Sequence, residues 1–425
     1  MEIDEIVVDV RALERLVEYG RSRRWRNALL VMDANTEKAA GSRAARELGA
    51  AGIEPVVFRY PQRTGLLASE GPVAAARERL REARPDGVVS VGSGVLTDIT
   101  RYACHLEGRE FVSLPTAASM DGYASTVAAM ELGGAKVTYA AIAPRAIFAD
   151  PSVLAAAPTE LTRSGLGDLL AKASARTDWL AAHLLYGEPF CPEADGRVLA
   201  PLEHAAAHAE ATLSGERQAI ERLLAGLLQS GIAMAMVGSS RPASGSEHHA
   251  SHFWDLLAAR GLRTHSPHGL QVGYATHFTM SLQRFAFGGG VTRLAQPGAI
   301  RAEDEDATAW LGAPGDALQR AMADKRRFLV EHAFHWPEGD ERWKDIRATL
   351  AESALGLFPG VEAALTLAGI PPAPDFLGLD STMLRATFRH ANRLRARYTV
   401  LDFLEGQGVL EQALDAALPG GPRPS

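Results

Sequence analysis

Over the first 150 residues, short apolar runs alternate with amphipathic segments, and this rhythm is the strongest constraint on the fold. Asn27–Met32, Ile53–Tyr60, Gly87–Val91, Phe111–Leu114 and Ala146–Ala149 have the length and apolar character of buried strands. Between them, Thr36–Leu48, Gly71–Ala83 and Asp98–Leu106 read as helices. A strand–helix–strand series predicts a parallel sheet with crossover helices, the layout of a nucleotide-binding fold. From about residue 152 the pattern changes to helices, many rich in alanine and leucine, with almost no strand signal. The expected organisation is an α/β dinucleotide-binding domain over 1–151, an all-α metal- and substrate-binding domain over 152–417, and a flexible Pro/Gly tail over 418–425.

Composition narrows the function. The chain has 425 residues, 47% hydrophobic and 22% charged, which supports sizeable cores and argues against general disorder. A net charge of -7 and a pI near 6.0 give no electrostatic footprint for nucleic acid. Two distant cysteines, Cys104 and Cys191, form no Cys-x-x-Cys pattern, which argues against a disulfide scaffold or thiolate zinc site and fits a reducing cytoplasm. The start, Met-Glu-Ile-Asp-Glu, lacks the basic and apolar stretches of a secretory signal. Leu223–Val237 is interrupted by Gly226, Gln229, Ser230 and Gly231 and reads as a buried helix, so no membrane span is expected.

Several segments carry chemistry. Gly92-Ser-Gly94-Val-Leu-Thr-Asp98 follows the third strand, where glycines and a helix start suit a pyrophosphate, although any tight strand-to-helix turn uses glycine. Pro115-Thr-Ala-Ala-Ser119-Met-Asp121-Gly-Tyr-Ala-Ser125 is rich in small residues and permits close backbone approach to a ligand, or simply caps a strand. Asp168 lies near a predicted helix start, where the dipole favours a carboxylate with or without a ligand. Lys172 follows one turn later, placed to pair with Asp168 or to be solvated. Asp33 ends an early strand, as a ribose acceptor or as a turn residue.

The stretch Pro242–Val272 holds five of the thirteen histidines. Ser244 or Ser246 reads as an N-cap, and a following helix puts His248 and His252 on one face with His249 turned away. After a short connection, His265-Ser-Pro-His268-Gly supplies a second pair. Two imidazoles from one helix and one from a following element suit a divalent metal that still needs a carboxylate; a histidine-rich surface helix is the competing reading. Arg241 could meet an anionic substrate or be a structural loop arginine. Gly288–Gly290 and Glu303–Asp306 read as surface loop and solvated segment, and the helices near Leu384–Arg397 and Leu401–Ala417 as amphipathic with exposed Arg-rich faces.

Taken in order, Gly92–Asp98, Pro115–Ser125, Gly165–Lys172, Ser240–His252 and His268-Gly-Leu-Gln-Val-Gly273 resemble the sn-glycerol-1-phosphate dehydrogenases, within the dehydroquinate-synthase-like and iron-containing alcohol dehydrogenase group. The resemblance covers roughly residues 25 to 280. It implies that NAD or NADP is lined by Gly94, Val95, Leu96, Thr97, Asp98, Thr116, Ala117, Ala118, Ser119 and Ser125. It further implies that Asp168, His248 and His268 hold one divalent metal, zinc by default with nickel or iron as alternatives. Asp121, Asp168 and His252 would lie near a small phosphorylated triose or polyol substrate, with His252 and Asp121 catalytic. The implied reaction is reversible reduction of dihydroxyacetone phosphate to sn-glycerol 1-phosphate by a cytoplasmic homo-oligomer. The alternatives are a glycerol-type polyol dehydrogenase, a dehydroquinate-synthase-like lyase cascade, and a binding module that has lost turnover. Leu270 departs from the pattern, at a position where many relatives are expected to carry a polar or acidic residue.

Overall fold

In the computed structural model, which describes residues 3–61, 65–132, 135–296, 305–312 and 316–418, six strands form one parallel sheet. In chain order they are β1 (Glu5–Val8), β2 (Asn27–Asp33), β3 (Glu54–Tyr60), β4 (Gly87–Gly92), β5 (Val112–Pro115) and, after a β6–β7 hairpin (Val127–Leu132 and Ala135–Ala140), β8 (Ala146–Ala149). The spatial order is β1-β8-β5-β4-β2-β3. Leu30 of β2 sits opposite Val57 of β3 and Val89 of β4. Because side chains alternate along a strand, Leu30 and Met32 enter one core with Leu16 and Phe148, while Leu29 and Val31 enter the other with Ile99 and Phe111.

The chain runs from β2 outward to β3 and returns to β4 on the other side of β2. The order therefore reverses between β2 and β4, and in open α/β sheets the carboxyl ends beside such a reversal are where ligands bind. Those ends are Asp33 and the Gly92–Gly94 turn.

The chain divides into two compact units, Met1–Gly165 with Glu210–Ala235, and Leu166–Ala209 with Met236–Ser425. The helices that bear on function are α1 (Gly94–Leu106), α2 (Thr159–Leu170), α3 (Lys172–Tyr186), α4 (Arg217–Val237), α5 (Ser246–Ala259) and α6 (His268–Phe285). Residues 152–165 and most of α4 thus group with the sheet. Helix α4 is long and apolar enough to cross a membrane, but Leu223, Leu224, Leu227 and Leu228 are buried and Gly231 lies against the Asp121 backbone, as in a core helix.

The structure corrects several details. The strand β1 and the β6–β7 hairpin carry charged residues among the apolar ones and gave no strand signal in sequence. Helix α1 begins at Gly94 rather than Asp98. The Arg-rich C-terminal segment is not an exposed face: it breaks into Ser381–His390, Ala391–Leu394 and Val400–Gly406, with Arg393 only 4% exposed. Residues 303–304 of the acidic run and 419–425 of the tail lie outside the described residues, and the alignment-resistant 288–306 segment is described only in part.

Candidate active site

The sheet-bearing unit presents a tightly packed glycine turn. A Cβ on Gly92 would lie 2.4 Å from Leu96 Cδ1, and one on Gly94 would lie 2.8 Å from Met120 Sδ. Ser93 is extended and supplies no side-chain cap, while its carbonyl accepts from Thr97 N. The first-turn N–H groups of Gly94, Val95 and Leu96 have no intrahelical acceptor, which leaves donors and a positive dipole end for an anion. Leu96 and Thr97 bury their side chains at 2% and 0% exposure, so what Leu96 can offer a ligand is its backbone N–H.

Arg101, fully buried, ties the neighbouring loop to α1. It donates to Asp98 Oδ1 (2.8 Å) and to the carbonyls of Gly122 (2.6 Å), Tyr123 (3.0 Å) and Val127 (3.0 Å). Tyr123 Oη donates to Ala117 O at 2.6 Å, and Ser164 Oγ donates to Ser119 O. A Cβ on Gly165 would come within 1.8 Å of Ala118 O, and one on Gly231 within 2.9 Å of Asp121 O. The small residues of Pro115–Ser125 therefore serve tight packing under α2 and α4. Asp98 faces Arg101, and Ser125 Oγ donates to Val127 O at 3.0 Å.

The helical unit brings together Asp168, His248 and His268, whose ligand atoms all lie within 4.8 Å of one another. Two glycines make this possible. A Cβ on Gly167 would sit 2.4 Å from Gly269 O, and one on Gly273 would sit 3.1 Å from Gly167 Cα, so α2 and α6 approach closely enough for a short aspartate to meet His268. The histidine-bearing α5 enters through Gly245, which is the N-cap residue in place of the expected serines; a Cβ there would lie 2.7 Å from Asp178 Oδ2. Ser246 instead donates through N (2.8 Å) and Oγ (2.6 Å) to that carboxylate.

Buried charges set the electrostatics. Lys172 Nζ donates to Asp168 Oδ1 at 2.6 Å, with both side chains fully buried. Glu247, also fully buried, accepts from Gly245 N (2.7 Å) and Ser174 Oγ (2.6 Å) and lies 2.7 Å from His248 Nδ1. Burial pushes its carboxyl pKa up. Burial, with the charge of Glu247 next, raises Asp178 to about 6. His268 Nδ1 lies 3.3 Å from Ser251 Oγ. Each Nδ1 faces a partner, and a carboxylate on Nδ1 is an arrangement that commonly orients a metal-binding histidine. Two imidazoles and a carboxylate form a donor set that fits a divalent ion.

Residues 7–158 match the family model described as iron-containing alcohol dehydrogenase. The chain is 36% identical to the glycerol-1-phosphate dehydrogenase (NAD(P)+) of Bacillus velezensis over 96% of this chain and 93% of the relative. It is 32% identical to that of Geobacillus stearothermophilus over 95% and 92%.

The chain belongs to the glycerol-1-phosphate dehydrogenase family.

Among solved structures, a 1,3-propanediol oxidoreductase matches with TM-score 0.64 at 16% identity, over 97% of this chain and 98% of that one. A probable glycerol dehydrogenase from Sinorhizobium meliloti gives 0.54 at 18%, over 83% and 98%. These likenesses establish the fold.

Within this family member, the remaining expected residues fall in two groups. His252 is on α5 one turn beyond His248, and its Nε2 lies 2.9 Å from Arg395 Nη2. Arginine can only donate, so Nε2 accepts and the neutral ring carries its proton on Nδ1. Asp121 is half-buried beside the 3-10 turn Gly122–Ala124 of the sheet-bearing unit. Asp33 caps the following helix, its Oδ1 accepting from Asn35 N and Thr36 N at 2.8 Å each. His265 Nδ1 lies 2.8 Å from the Ser266 carbonyl.

Arg241 is a structural arginine: it forms a bidentate pair with Glu188 and donates to Tyr398 O. The polar partner expected near Leu270 comes from its neighbour. Gln271 Nε2 donates to Asp255 Oδ1 and Ser266 O at 2.9 Å each, and so fixes the approach to His268. Sequence reasoning passed over Glu247, Asp178 and Gln271; a carboxylate directly preceding a ligand histidine was the available signal for the first.

Proposed function

We propose that this protein reversibly reduces dihydroxyacetone phosphate to sn-glycerol 1-phosphate with NADH or NADPH, using one divalent metal. The observation that carries the reading is the convergence of Asp168, His248 and His268 in a chain so similar to glycerol-1-phosphate dehydrogenases over nearly its whole length. These three residues hold the ion, zinc by default and nickel or iron as alternatives. When bound, it polarises the substrate carbonyl as a Lewis acid. Asp168 with Lys172 behind it, and Glu247 behind His248, place two buried carboxyl groups at this cluster, a setting that suits a cation.

The backbone around Gly94–Asp98, with Thr116, Ala117, Ala118, Ser119 and Ser125, binds the dinucleotide that supplies the hydride. Asp121 orients substrate hydroxyls, and Asp168 and His252 face the substrate. The proton that meets the developing alkoxide comes from His252 Nδ1, or from a water it holds, because Arg395 occupies Nε2. The enzyme works as a cytoplasmic homo-oligomer. The test is NADH oxidation with dihydroxyacetone phosphate, followed by stereochemical analysis of the product. Glycerol 1-phosphate is the expected product; glycerol 3-phosphate, or a preference for unphosphorylated ketones, would refute the reading.

A further inference from the structure

Arg395 and Arg397 reach back to the histidine helix from the segment between Leu394 and Val400. Arg395 Nη2 donates to His252 Nε2. Arg397 donates through Nη1 to Ser244 O at 3.2 Å and through Nη2 to Ser240 Oγ, in the loop that leads into α5. Both side chains are half-buried. Their cationic neighbours are already balanced: Arg241 pairs with Glu188, and Lys325 Nζ lies 2.8 Å from Asp402 Oδ1. Arg397 differs, since among the described residues no carboxylate lies within ion-pair range of its guanidinium. Burial, with Arg241 and Arg395 adding repulsion, lowers its pKa to about 9 against the longer-range attraction of Glu188 and Glu247.

A second observation points the same way. His249 is fully buried, and neither ring nitrogen finds a hydrogen-bond partner among the described residues. Buried polar groups in this state are uncommon and costly. The cations bearing on the ring are Lys325, Arg397 and Arg395. A buried imidazole with neither nitrogen hydrogen-bonded, near a guanidinium with no carboxylate in ion-pair range, is an arrangement that an anion would complete.

We propose that Arg397 and Arg395, backed by His249, form the subsite for the phosphate monoester of the substrate. This rests on the function proposed above, and it explains how a phosphorylated ketone is preferred although Arg241 is committed elsewhere. Guanidinium groups suit the geometry of a phosphate, and His252 links the subsite to the turn of α5 that carries His248.

The test uses full-length, metal-loaded enzyme and the variants Arg397→Gln and His249→Leu. Steady-state rates are compared for dihydroxyacetone phosphate and dihydroxyacetone, which share the carbonyl and differ in the phosphate. In R397Q the ratio of kcat/KM for the two should fall about 100-fold, mainly through KM for the phosphorylated ketone. In H249L it should fall about tenfold. Equal losses on both ketones, or a rise in KM for NADPH with none for dihydroxyacetone phosphate, would overturn the assignment. If R397Q does not fold, Arg397→Lys takes its place, with loss of the bidentate contact and a smaller shift in the same ratio. If the wild type reduces neither ketone, the proposed function fails while the subsite stays testable by calorimetric titration with inorganic phosphate. A wild-type isotherm that weakens in the Arg397 variant supports the subsite, and identical isotherms refute it.

Discussion

Around Gly94 the protein offers main-chain N–H groups among small side chains, whereas around Asp168 it offers buried charges held by other buried charges. The first surface depends on what is missing, since Gly92, Gly94 and Gly165 sit where a Cβ would collide. The second depends on what is present, since Lys172, Glu247, Ser174 and Ser251 orient or balance the three proposed ligands. The two should therefore fail differently: backbone packing by steric strain, the charge cluster by loss of affinity and chemistry.

The largest effect falls on the charge cluster. Asp168→Ala should cost about 1,000-fold or more in kcat, because Lewis-acid stabilisation of a developing alkoxide is worth several kcal/mol. NADH affinity, measured by fluorescence titration, should hold; parallel loss of both would show that the regions are not independent. On the glycine side, Gly165→Ala places a carbon where Ala118 O already stands. Urea unfolding should show a loss of about 3 kcal/mol, with weaker NADH binding and metal stoichiometry retained in the folded fraction.

Smaller effects sharpen the contrast. Glu247→Gln keeps the shape and removes the charge behind His248, so metal affinity by competition with a chelator should fall about 10- to 100-fold. Unaltered affinity would make Glu247 a packing residue. Asp178 titrates near 6 when folded and about 3.9 when unfolded, so its contribution to stability is full below pH ~4 and is lost as pH rises to ~6. Asp178→Asn should flatten that part of the stability profile of the metal-free protein, by on the order of 3 kcal/mol. A profile of unchanged slope would mean that Asp178 stays ionised in the fold.

The same contrast explains how much could be read in advance. Strands such as Asn27–Asp33 and Gly87–Gly92 are continuous apolar runs, and burial on both faces leaves that mark in any single sequence. The spacing from His248 to His252 likewise follows from helix geometry alone. Glu5–Val8 and the β6–β7 hairpin mix charged with apolar residues, so their pairing shows only in space. Lys172 could be written as a partner of Asp168 but not as a buried one, because burial depends on how closely Gly167 and Gly269 let two helices approach. Arg395 and Arg397 read as surface charge for a similar reason: only the fold shows them turned toward His252 and Ser240, 143 and 157 residues earlier in the chain.

The most direct test is stepwise addition of a divalent metal to chelator-stripped protein, with bound ion and reduction of dihydroxyacetone phosphate measured at each step. Activity should rise in proportion to bound metal and stop at one equivalent per chain, and Asp168→Ala and His248→Ala should neither bind the ion tightly nor recover. Full activity in the stripped enzyme, or tight binding by those variants, would contradict the assignment of the metal to Asp168, His248 and His268.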